Sequence, residues 1–498
     1  MDYKKAVLLL IGVSTFARII LANQLEFGND EVYYWLYAKY PDLSHFDHPP
    51  FVGFFIQFFT FDLFFDSELA IRLAAILPAS ISMYLVFLIG SYIGDERTGF
   101  ISVLLYNISI YGFIISGLFI LPDAPLLLFW LLSFYCLVQA LPKVPAKNSR
   151  LKLFLGFFFI GCAIYSKYQG VFLLLGVLLY IIFINKDWLK DWSLYVALIF
   201  PISFIALIVL WNYNNDFISY SFHNDRVSLF SFKFNRHSFL REWLGQILYN
   251  NPYVYVMIIF MFIGILKKKF TIQREYLWMF LFFSLPLIFV TLYLSLFRDT
   301  LPHWSALSYI TILPLLAVFL ERKKKLARNL KIGFTFFVML CLLASVWINN
   351  GWFSSQKGNT NKEMYGRNDA ILDMYGWEQA SKKVSNYLMD KKLLNLPIVS
   401  DKWFPAAHID YYLARPNNMN VYGIGELKNI HKYYWINKQR PSIKNNEEFL
   451  YITDSRNFRS PKEVYQDKYQ EYKLLEVFPI SRNNQVVKNV FLYLLIKG

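Results

Sequence analysis

Cysteine and charge are both scarce in this chain, and each shortage excludes a class of protein. Three cysteines occur in 498 residues, and all of them lie inside hydrophobic runs, so no external disulfide framework or paired-cysteine metal site is predicted. They are Cys136, Cys162 and Cys341. Charged residues make up 17% of the chain and hydrophobic residues 56%, with a mean hydropathy of +0.35. This composition is typical of a membrane protein rather than of a large soluble enzyme.

Long apolar runs dominate the first 349 residues. Their length matches the roughly 17–25 residues that an α-helix needs to cross a bilayer. The runs lack the alternation of a barrel strand, and backbone groups in hydrocarbon must bond internally, so the spans are predicted to be helices. The membrane region is predicted to contain eleven to thirteen transmembrane helices. Eleven spans are located, near 6–22, 69–93, 98–118, 122–141, 151–167, 169–185, 192–211, 252–266, 275–296, 304–320 and 331–348.

The net charge of +15 is distributed in short clusters between alternate spans. Five basic clusters, near residues 4–5, 143–152, 186–190, 267–274 and 322–331, fall on one side of the membrane under the eleven-span count. Such enrichment marks the cytoplasmic side and predicts an inside amino terminus. The placement argues against a nucleic-acid partner. No small-residue cleavage site follows the first span, which is therefore expected to be a retained anchor.

The predicted domain organisation changes near residue 350. Residues 1–349 are expected to form a transmembrane catalytic domain, with a first external loop over 23–68 and a long external loop over 212–251. Within the first loop, residues 49–65 suit a helix lying along the membrane interface. Residues 350–498 are expected to form a soluble external α/β domain, which holds an acceptor or caps the membrane domain. Its helix is predicted over 374–395 and its strands over 396–401, 420–423, 449–454 and 489–496.

The first external loop begins with an acidic pair, Asp30-Glu31. A carboxylate beside a bilayer surface is suited to act as general base for an attacking hydroxyl or amine. The alternative is that both carboxylates only stabilise the start of a helix over 31–40.

A second group of polar residues suits the binding of a metal or a phosphate. Asp47, His48 and the distant His223 carry carboxylate and imidazole groups, the usual ligands of a divalent ion. A leaving phosphate needs positive charge, which His48, Arg226 and Lys167 are placed to supply on the outer side. The alternative for Asp47-His48 is a proline-fixed turn that faces lipid headgroups.

Acidic and basic residues at the ends of spans are further candidates. Asp123 is framed by two prolines at a membrane boundary, where an acid indicates a functional site unless it only caps the following helix. His303 lies in the outer turn over 298–304, which suits a headgroup belt as well as a site. Arg18 and Arg72 are interpreted as snorkelling or helix-pairing residues.

Taken together, these segments resemble the polyprenyl-phosphate-dependent glycosyltransferases of the GT-C fold. They look most like the bacterial relatives of the protein O-mannosyltransferases and the lipid A aminoarabinose transferases. Asp30-Glu31 matches the acidic pair of that family's first external loop. His45-Phe46-Asp47-His48-Pro49 resembles a Tyr-Phe-Glu-Lys-Pro of the aminoarabinose enzymes. There the acid is associated with a metal and the lysine contacts the donor phosphate, so the resemblance implies these roles for Asp47 and His48.

The resemblance continues along the membrane region to residue 349. The segment over 121–125 looks like the family's Leu-Asp-Pro, with one residue inserted before the second proline. His223-Asn224-Asp225-Arg226 resembles a His-x-x-Arg of the long loop and implies His223 as second metal ligand. Thr300-Leu301-Pro302 stands where the aminoarabinose enzymes have Lys-Leu-Pro, so that lysine is missing.

The resemblance implies an integral membrane glycosyltransferase in a bacterial inner membrane, with its site facing the periplasm. Its donor would be a polyprenyl-phosphate sugar, and its acceptor a lipid such as lipid A, a protein or a glycan lipid. A divalent metal ion of unknown identity is the one implied cofactor. The main alternative is a transporter or flippase for lipid-linked sugars, which would place ionisable groups near the bilayer midplane. The mid-span positions here are nearly free of charge, which favours chemistry at the surface. A catalytically inactive relative acting as a receptor is the other alternative.

Overall fold

The computed structural model describes residues 2–227, 234–268, 272–321, 323, 325–352, 361–443 and 447–497, without the side chains of 223–227 and 467. The chain forms two compact units. The first comprises Met1–Ala22 and Pro41–Met339, and the second comprises Asn23–Tyr40 and Leu340–Gly498.

The first unit is helical throughout the part that the structure describes. Its α-helices, including two that end in the second unit, are Tyr3–Gln24, Phe51–Thr60, Glu68–Ile93, Glu96–Asn107, Asp123–Ala140, Lys147–Ser166, Val171–Phe183, Trp192–Ala197, Ile199–Tyr213, Ile218–Val227, Arg236–Tyr249, Pro252–Leu266, Arg274–Ser295, His303–Leu320 and Leu326–Asn350. Short 3₁₀ turns cover Tyr168–Gly170 and Lys186–Lys190, and a π-helical turn covers Tyr111–Ile115.

Eight helices among the described residues are long and apolar enough to cross a membrane. The pair Arg236–Tyr249 and Pro252–Leu266, bent by 97°, makes nine if it is one broken span. The predicted polytopic helical class is therefore confirmed, although fewer spans meet this length than the eleven predicted. The spans predicted at 98–118, 169–185 and 252–266 are shorter helices or parts of broken ones.

The break in the span predicted at 98–118 has a local cause. Polar side chains there offer the backbone other partners, which competes with helix continuation. Asn107 donates from Nδ2 to the Val103 carbonyl at 2.8 Å, and the Ser109 hydroxyl accepts from the Gly112 amide at 3.3 Å. The helix therefore ends at Asn107 and resumes as the π-helical turn, an arrangement that is often found at functional sites.

The second unit contains a five-stranded sheet. Its strands are β1 Ile398–Ser400, β2 Val421–Gly423, β3 Glu448–Asp454, β4 Glu471–Arg482 and β5 Gln485–Ile496, in the order β2-β1-β3-β5-β4. Strand β1 is parallel to β2 and β3, whereas β5 is antiparallel to β3 and β4. Strands occur at all four predicted positions, and β4 is an additional strand that the sequence did not predict.

The second unit also contains helices and helical turns. They are Asn29–Lys39, Trp377–Asp390, Trp403–His408, Leu427–Ile430, Tyr433–Gln439 and Pro461–Tyr465, with a π-helical turn over Ile409–Ala414 and 3₁₀ turns over Lys362–Met364, Ala370–Met374 and Gln466–Lys468. The predicted helix over 374–395 is confirmed in its central part as Trp377–Asp390, with Trp377, Ala380, Val384 and Leu388 on its buried face. The Asn29–Lys39 helix contains the acidic pair and lies within this unit.

Candidate functional site

A group of buried and half-buried polar residues lies where three helices of the first unit begin or end. Asp123 is the first residue of its helix, Lys167 follows the last residue of Lys147–Ser166, and His303 is the first residue of its helix. Lys167 Nζ lies 2.8 Å from Asp123 Oδ2, with both side chains at most 4% exposed. His303 lies within electrostatic range of both, and its ring centroid is 6.3 Å from that of Tyr249. The structure thus brings together three predicted residues from separate parts of the sequence.

Tyr111 completes this group and was missed by the sequence analysis. Its hydroxyl donates to Asp123 Oδ1 at 3.0 Å, so Asp123 accepts hydrogen bonds at both oxygens. A buried carboxylate is tolerated only when it is paired and hydrogen-bonded in this way. Within an aromatic-rich apolar run, one tyrosine gave no signal that set it apart.

Arg18 holds the π-helical turn that carries Tyr111. Its guanidinium donates to the Phe113 carbonyl at 3.0 Å and to the Gly112 carbonyl at 3.3 Å, and lies 4.4 Å from the centre of the Phe113 ring. Arg18 is fully buried. Helix pairing is therefore its role and snorkelling is excluded. Arg72 is also fully buried and donates to the Ala22 carbonyl at 2.8 Å, which supports the same interpretation.

The turn before His303 is fixed by a buried acid on the Arg236–Tyr249 helix. Glu242 is fully buried and accepts hydrogen bonds from Thr300 Oγ1 at 2.8 Å and from Ser305 Oγ at 3.2 Å. Glycine at position 245 lets this helix approach the turn, since a Cβ there would lie 2.2 Å from Pro302 Cγ. Glu242 was missed, although an acid in the mainly basic loop over 212–251 was a usable signal.

The segment that carries Asp47 and His48 is tied to neighbouring helices of the same unit. Trp211 Nε1 donates to Asp42 Oδ2 at 2.9 Å, and the Tyr165 hydroxyl donates to the Leu43 carbonyl at 2.5 Å. These bonds hold the start of the segment against the helices Lys147–Ser166 and Ile199–Tyr213.

Aromatic and electrostatic contacts locate Asp47 more closely. The Phe46 ring centroid lies 4.4 Å from that of Phe222, on the helix that continues to Val227. Asp47 is in electrostatic range of Tyr168, the residue directly after Lys167. The side chains of His223 and Arg226 lie outside the described residues, but the backbone of both belongs to this helix. In the described part of the chain, no three His, Cys, Asp or Glu side chains are grouped as metal ligands.

The two acidic residues of the first external loop have different environments within the second unit. Glu31 is 3% exposed and its Oε2 accepts from the Gly28 amide at 3.0 Å, closing the start of the Asn29–Lys39 helix. Asp30 is exposed. The helix-capping alternative therefore describes Glu31, and Asp30 is the exposed member of the pair.

Ionisable groups packed under the sheet of the second unit have strongly shifted acidities. Burial lowers the pKa of Lys488 to about 8, and it also holds the pKa of His408 well below its usual range. Burial raises the pKa of Glu26, against the opposing effect of the Lys488 charge. Lys488 Nζ lies 4.3 Å from the centre of the Trp377 ring, which in turn stacks on His408 with centroids 4.1 Å apart. Removal from water is thus the main cause of all three shifts.

Comparison with known proteins gives one family match and several similar structures. Residues 47–211 match the family model described as dolichyl-phosphate-mannose-protein mannosyltransferase. No sequence among the curated proteins is significantly similar.

The fold is similar to that of ArnT from Cupriavidus metallidurans bound to undecaprenyl phosphate, with 12% identity, a TM-score of 0.65 and 98% of both chains covered. The apo form of that protein gives a TM-score of 0.62 at 12% identity, covering 99% of this chain and 98% of the other. Archaeal oligosaccharyltransferase AglB from Archaeoglobus fulgidus, in complex with an inhibitory peptide and a dolichol-phosphate, is 11% identical, with a TM-score of 0.50, 91% of this chain covered and 70% of that one. The resemblance drawn from the sequence is thereby confirmed. Over almost its whole length the chain therefore has a fold similar to that of ArnT, and residues 47–211 are similar in sequence to the mannosyltransferase family.

Proposed function

We propose that this protein transfers a sugar from a polyprenyl-phosphate donor to an acceptor at the periplasmic face of a bacterial inner membrane. The observation that carries the proposal is the likeness, over 98% of both chains, to a structure that holds undecaprenyl phosphate. The acceptor class comprises lipids such as lipid A, proteins and glycan lipids. The basic clusters between alternate spans support the orientation, because such clusters face the cytoplasm.

The chemistry is a single displacement at the anomeric carbon. A hydroxyl or amine of the acceptor attacks that carbon, the bond from carbon to phosphate oxygen breaks, and polyprenyl phosphate departs with inversion. The acceptor proton passes to Asp30, whose exposed carboxylate on the Asn29–Lys39 helix is the proposed general base. Glu31 is buried and caps this helix, so its part is to hold Asp30 in place.

The departing phosphate is stabilised by positive charge, for which we assign His48, Arg226 and Lys167. A lysine ammonium has three donors, and the bond to Asp123 uses one of those on Lys167. Arginine is suited to phosphate because its planar guanidinium binds two oxygens at once. Asp123 fixes the position of Lys167.

A divalent cation on Asp47 and His223 is part of the same proposal. The contact between Phe46 and Phe222 supports it, because it places the segment of Asp47 beside the helix that carries His223. Such an ion would supply further positive charge to the phosphate. Transfer should then be lost with EDTA and return with added Mg²⁺ or Mn²⁺, and Asp47→Asn should raise the metal concentration needed for half-maximal transfer. Full transfer in EDTA would remove the metal from the proposal.

The test is sugar transfer by the purified protein from a panel of radiolabelled polyprenyl-phosphate sugars, with cell-envelope extract as acceptor. Asp30→Asn should lower the transfer rate by about 10²–10⁴-fold, without loss of folding, because the side chain is exposed. Asp390→Asn is the matched control, since Asp390 is an exposed aspartate at the end of the Trp377–Asp390 helix of the same unit. Near-normal turnover by folded Asp30→Asn would remove the base assignment, and no transfer from any donor by wild type would remove the function.

A further inference from the structure

A short segment of the second unit, residues 408–412, contacts both ends of the helix that carries Asp30. This segment comprises the last residue of Trp403–His408 and the first four of the π-helical turn Ile409–Ala414. It is buried apart from Tyr412, which is half-buried. Of its five residues, four contact the stretch over 23–40, and no residue of the segment was singled out by the sequence.

Two residues of this segment fix the start of the Asn29–Lys39 helix. The Tyr412 hydroxyl accepts a hydrogen bond from the Phe27 amide at 2.8 Å. His408 Nε2 lies 3.1 Å from Asn29 Oδ1, within hydrogen-bond distance. Asn29 directly precedes Asp30, so these contacts act within a few residues of the proposed base.

Asp410 fixes the other end of the same helix. It is fully buried, and its Oδ1 lies 3.4 Å from Lys39 Nζ. Its Oδ2 receives a hydrogen bond from Arg440 at 2.5 Å, and Arg440 also donates to the Tyr40 hydroxyl at 3.0 Å. Lys432 Nζ donates to the Tyr40 carbonyl at 2.6 Å. A carboxylate bound by two cations thus anchors both the last helical residue and the residue after it.

Aromatic packing fills the space between the two ends. The Tyr411 ring lies 5.0 Å from that of Phe27 and 5.1 Å from that of Trp35, both at steep angles. The Tyr33 ring lies 5.0 Å from that of Trp403, at the start of the helix that leads into the segment. Such edge contacts add to area burial and favour a single orientation of the helix.

We propose that residues 408–412 are positioning residues for the transfer reaction, and that the soluble unit holds Asp30 at the angle its proton transfer requires. This inference rests on the proposed function, because it assigns Asp30 the role of base. Rigid support of this kind matters because a small misplacement of a catalytic group lowers the rate steeply. It gives the second unit a function in the reaction.

The first test is the kinetics of two mild variants at opposite ends of the helix. Tyr412→Phe removes the hydrogen bond from the Phe27 amide and keeps the ring. Lys39→Met removes the ammonium that contacts Asp410 and the Trp35 and Tyr40 rings, while Asp410 stays bound to Arg440. Each should lower kcat about fivefold, as expected for one lost hydrogen bond, with an unchanged KM for the donor. Tyr451→Phe is the matched control, since its hydroxyl donates to the Arg459 carbonyl at 3.2 Å in the sheet core. Its kcat should stay at the wild-type value; equal kcat losses in all three variants would overturn the proposal.

A second measurement needs no donor and separates this inference from the proposed function. Hydrogen exchange of the amides over 29–39 is followed in the full chain for the same variants. Exchange should be about fivefold faster in Tyr412→Phe than in wild type and unchanged in Tyr451→Phe. If wild type transfers no sugar but exchange responds in this way, the proposed function fails and the attachment of the helix stands. Unchanged exchange in Tyr412→Phe overturns the positioning role.

Discussion

The contact between Asp123 and Lys167 permits a prediction in which stability and activity give separate answers. Asp123→Asn leaves a lysine ammonium buried without its counter-charge, and Lys167→Met leaves a buried carboxylate that keeps its hydrogen bond from the Tyr111 hydroxyl but has lost the ammonium. The double variant removes both charges and retains a side-chain oxygen for Tyr111.

The magnitude follows from burial. Both side chains are at most 4% exposed, and removal of one partner of such a pair costs about 3–5 kcal/mol. Replacement of a whole buried pair by neutral groups is often close to neutral in stability. We therefore expect each single variant to lose about 3–5 kcal/mol and the double variant to lose little, so that the coupling energy approaches the sum of the two single losses.

Unfolding of the purified protein in detergent, followed by tryptophan fluorescence in a denaturant series, measures these free energies. The same four proteins are assayed for sugar transfer. We expect the double variant to fold nearly as stably as wild type but to transfer about 100-fold more slowly, because it lacks a positive charge for the leaving phosphate.

Two results would contradict this reasoning. Additivity of the two single variants within about 0.5 kcal/mol would mean that Asp123 and Lys167 do not act as an ion pair. Recovery of transfer in the stable double variant would mean that Lys167 has a structural role only, and phosphate binding would then pass to His48 and Arg226.

Three further predictions concern other parts of the chain. Gly245→Ala should destabilise the protein by about 1–3 kcal/mol and slow transfer, since its Cβ would meet Pro302. Gly333→Ala is the control and should do neither, because no atom lies within 4 Å of the added Cβ. Equal melting temperatures of the two variants would contradict this prediction. The pKa of Lys488 is about 8 in the native state, against an ordinary value of 10.5 in the unfolded state. Between these two pH values the unfolded state binds more protons, so the free energy of unfolding should rise with pH by up to about 3 kcal/mol. When thermal unfolding is measured across this pH range, the rise should be smaller in Lys488→Met than in wild type. Parallel curves of melting temperature against pH for the two proteins would refute the burial argument. Glu31→Ala should lower stability by about 1 kcal/mol through loss of its cap, and loss of transfer at unchanged stability would instead make Glu31 catalytic.

The acidic pair shows how far sequence reasoning reached at the site. Adjacent carboxylates suggested a base, a cap or both, and their order gave no means of dividing the roles. The structure divides them by direction: Glu31 turns back to the Gly28 amide, and Asp30 is exposed. Successive residues of a helix point about 100° apart, so only the surroundings of the helix decide which one is buried.

Where regular elements were missed, the local pattern was interrupted. Strand β4 is an edge strand with irregular pairing between Leu474 and Glu476 and between Ile480 and Ser481. These bulges break the two-residue period by which a strand is recognised. Pro479 within the strand weakened the signal further, since proline is tolerated at a sheet edge and not in its centre.

The sequence by itself determined the helical membrane architecture, four strands of the second unit and the family likeness, because hydrophobic run length, alternation and short motifs are local properties. It also indicated Asp123, Lys167 and His303 one by one, as polar groups at the ends of apolar runs. Only the tertiary structure decided that these three meet, that Tyr111 and Glu242 support them, and that residues 408–412 hold the helix of Asp30. Those contacts join residues 12 to 385 positions apart, and a contact across such a separation is fixed by packing rather than by any local pattern.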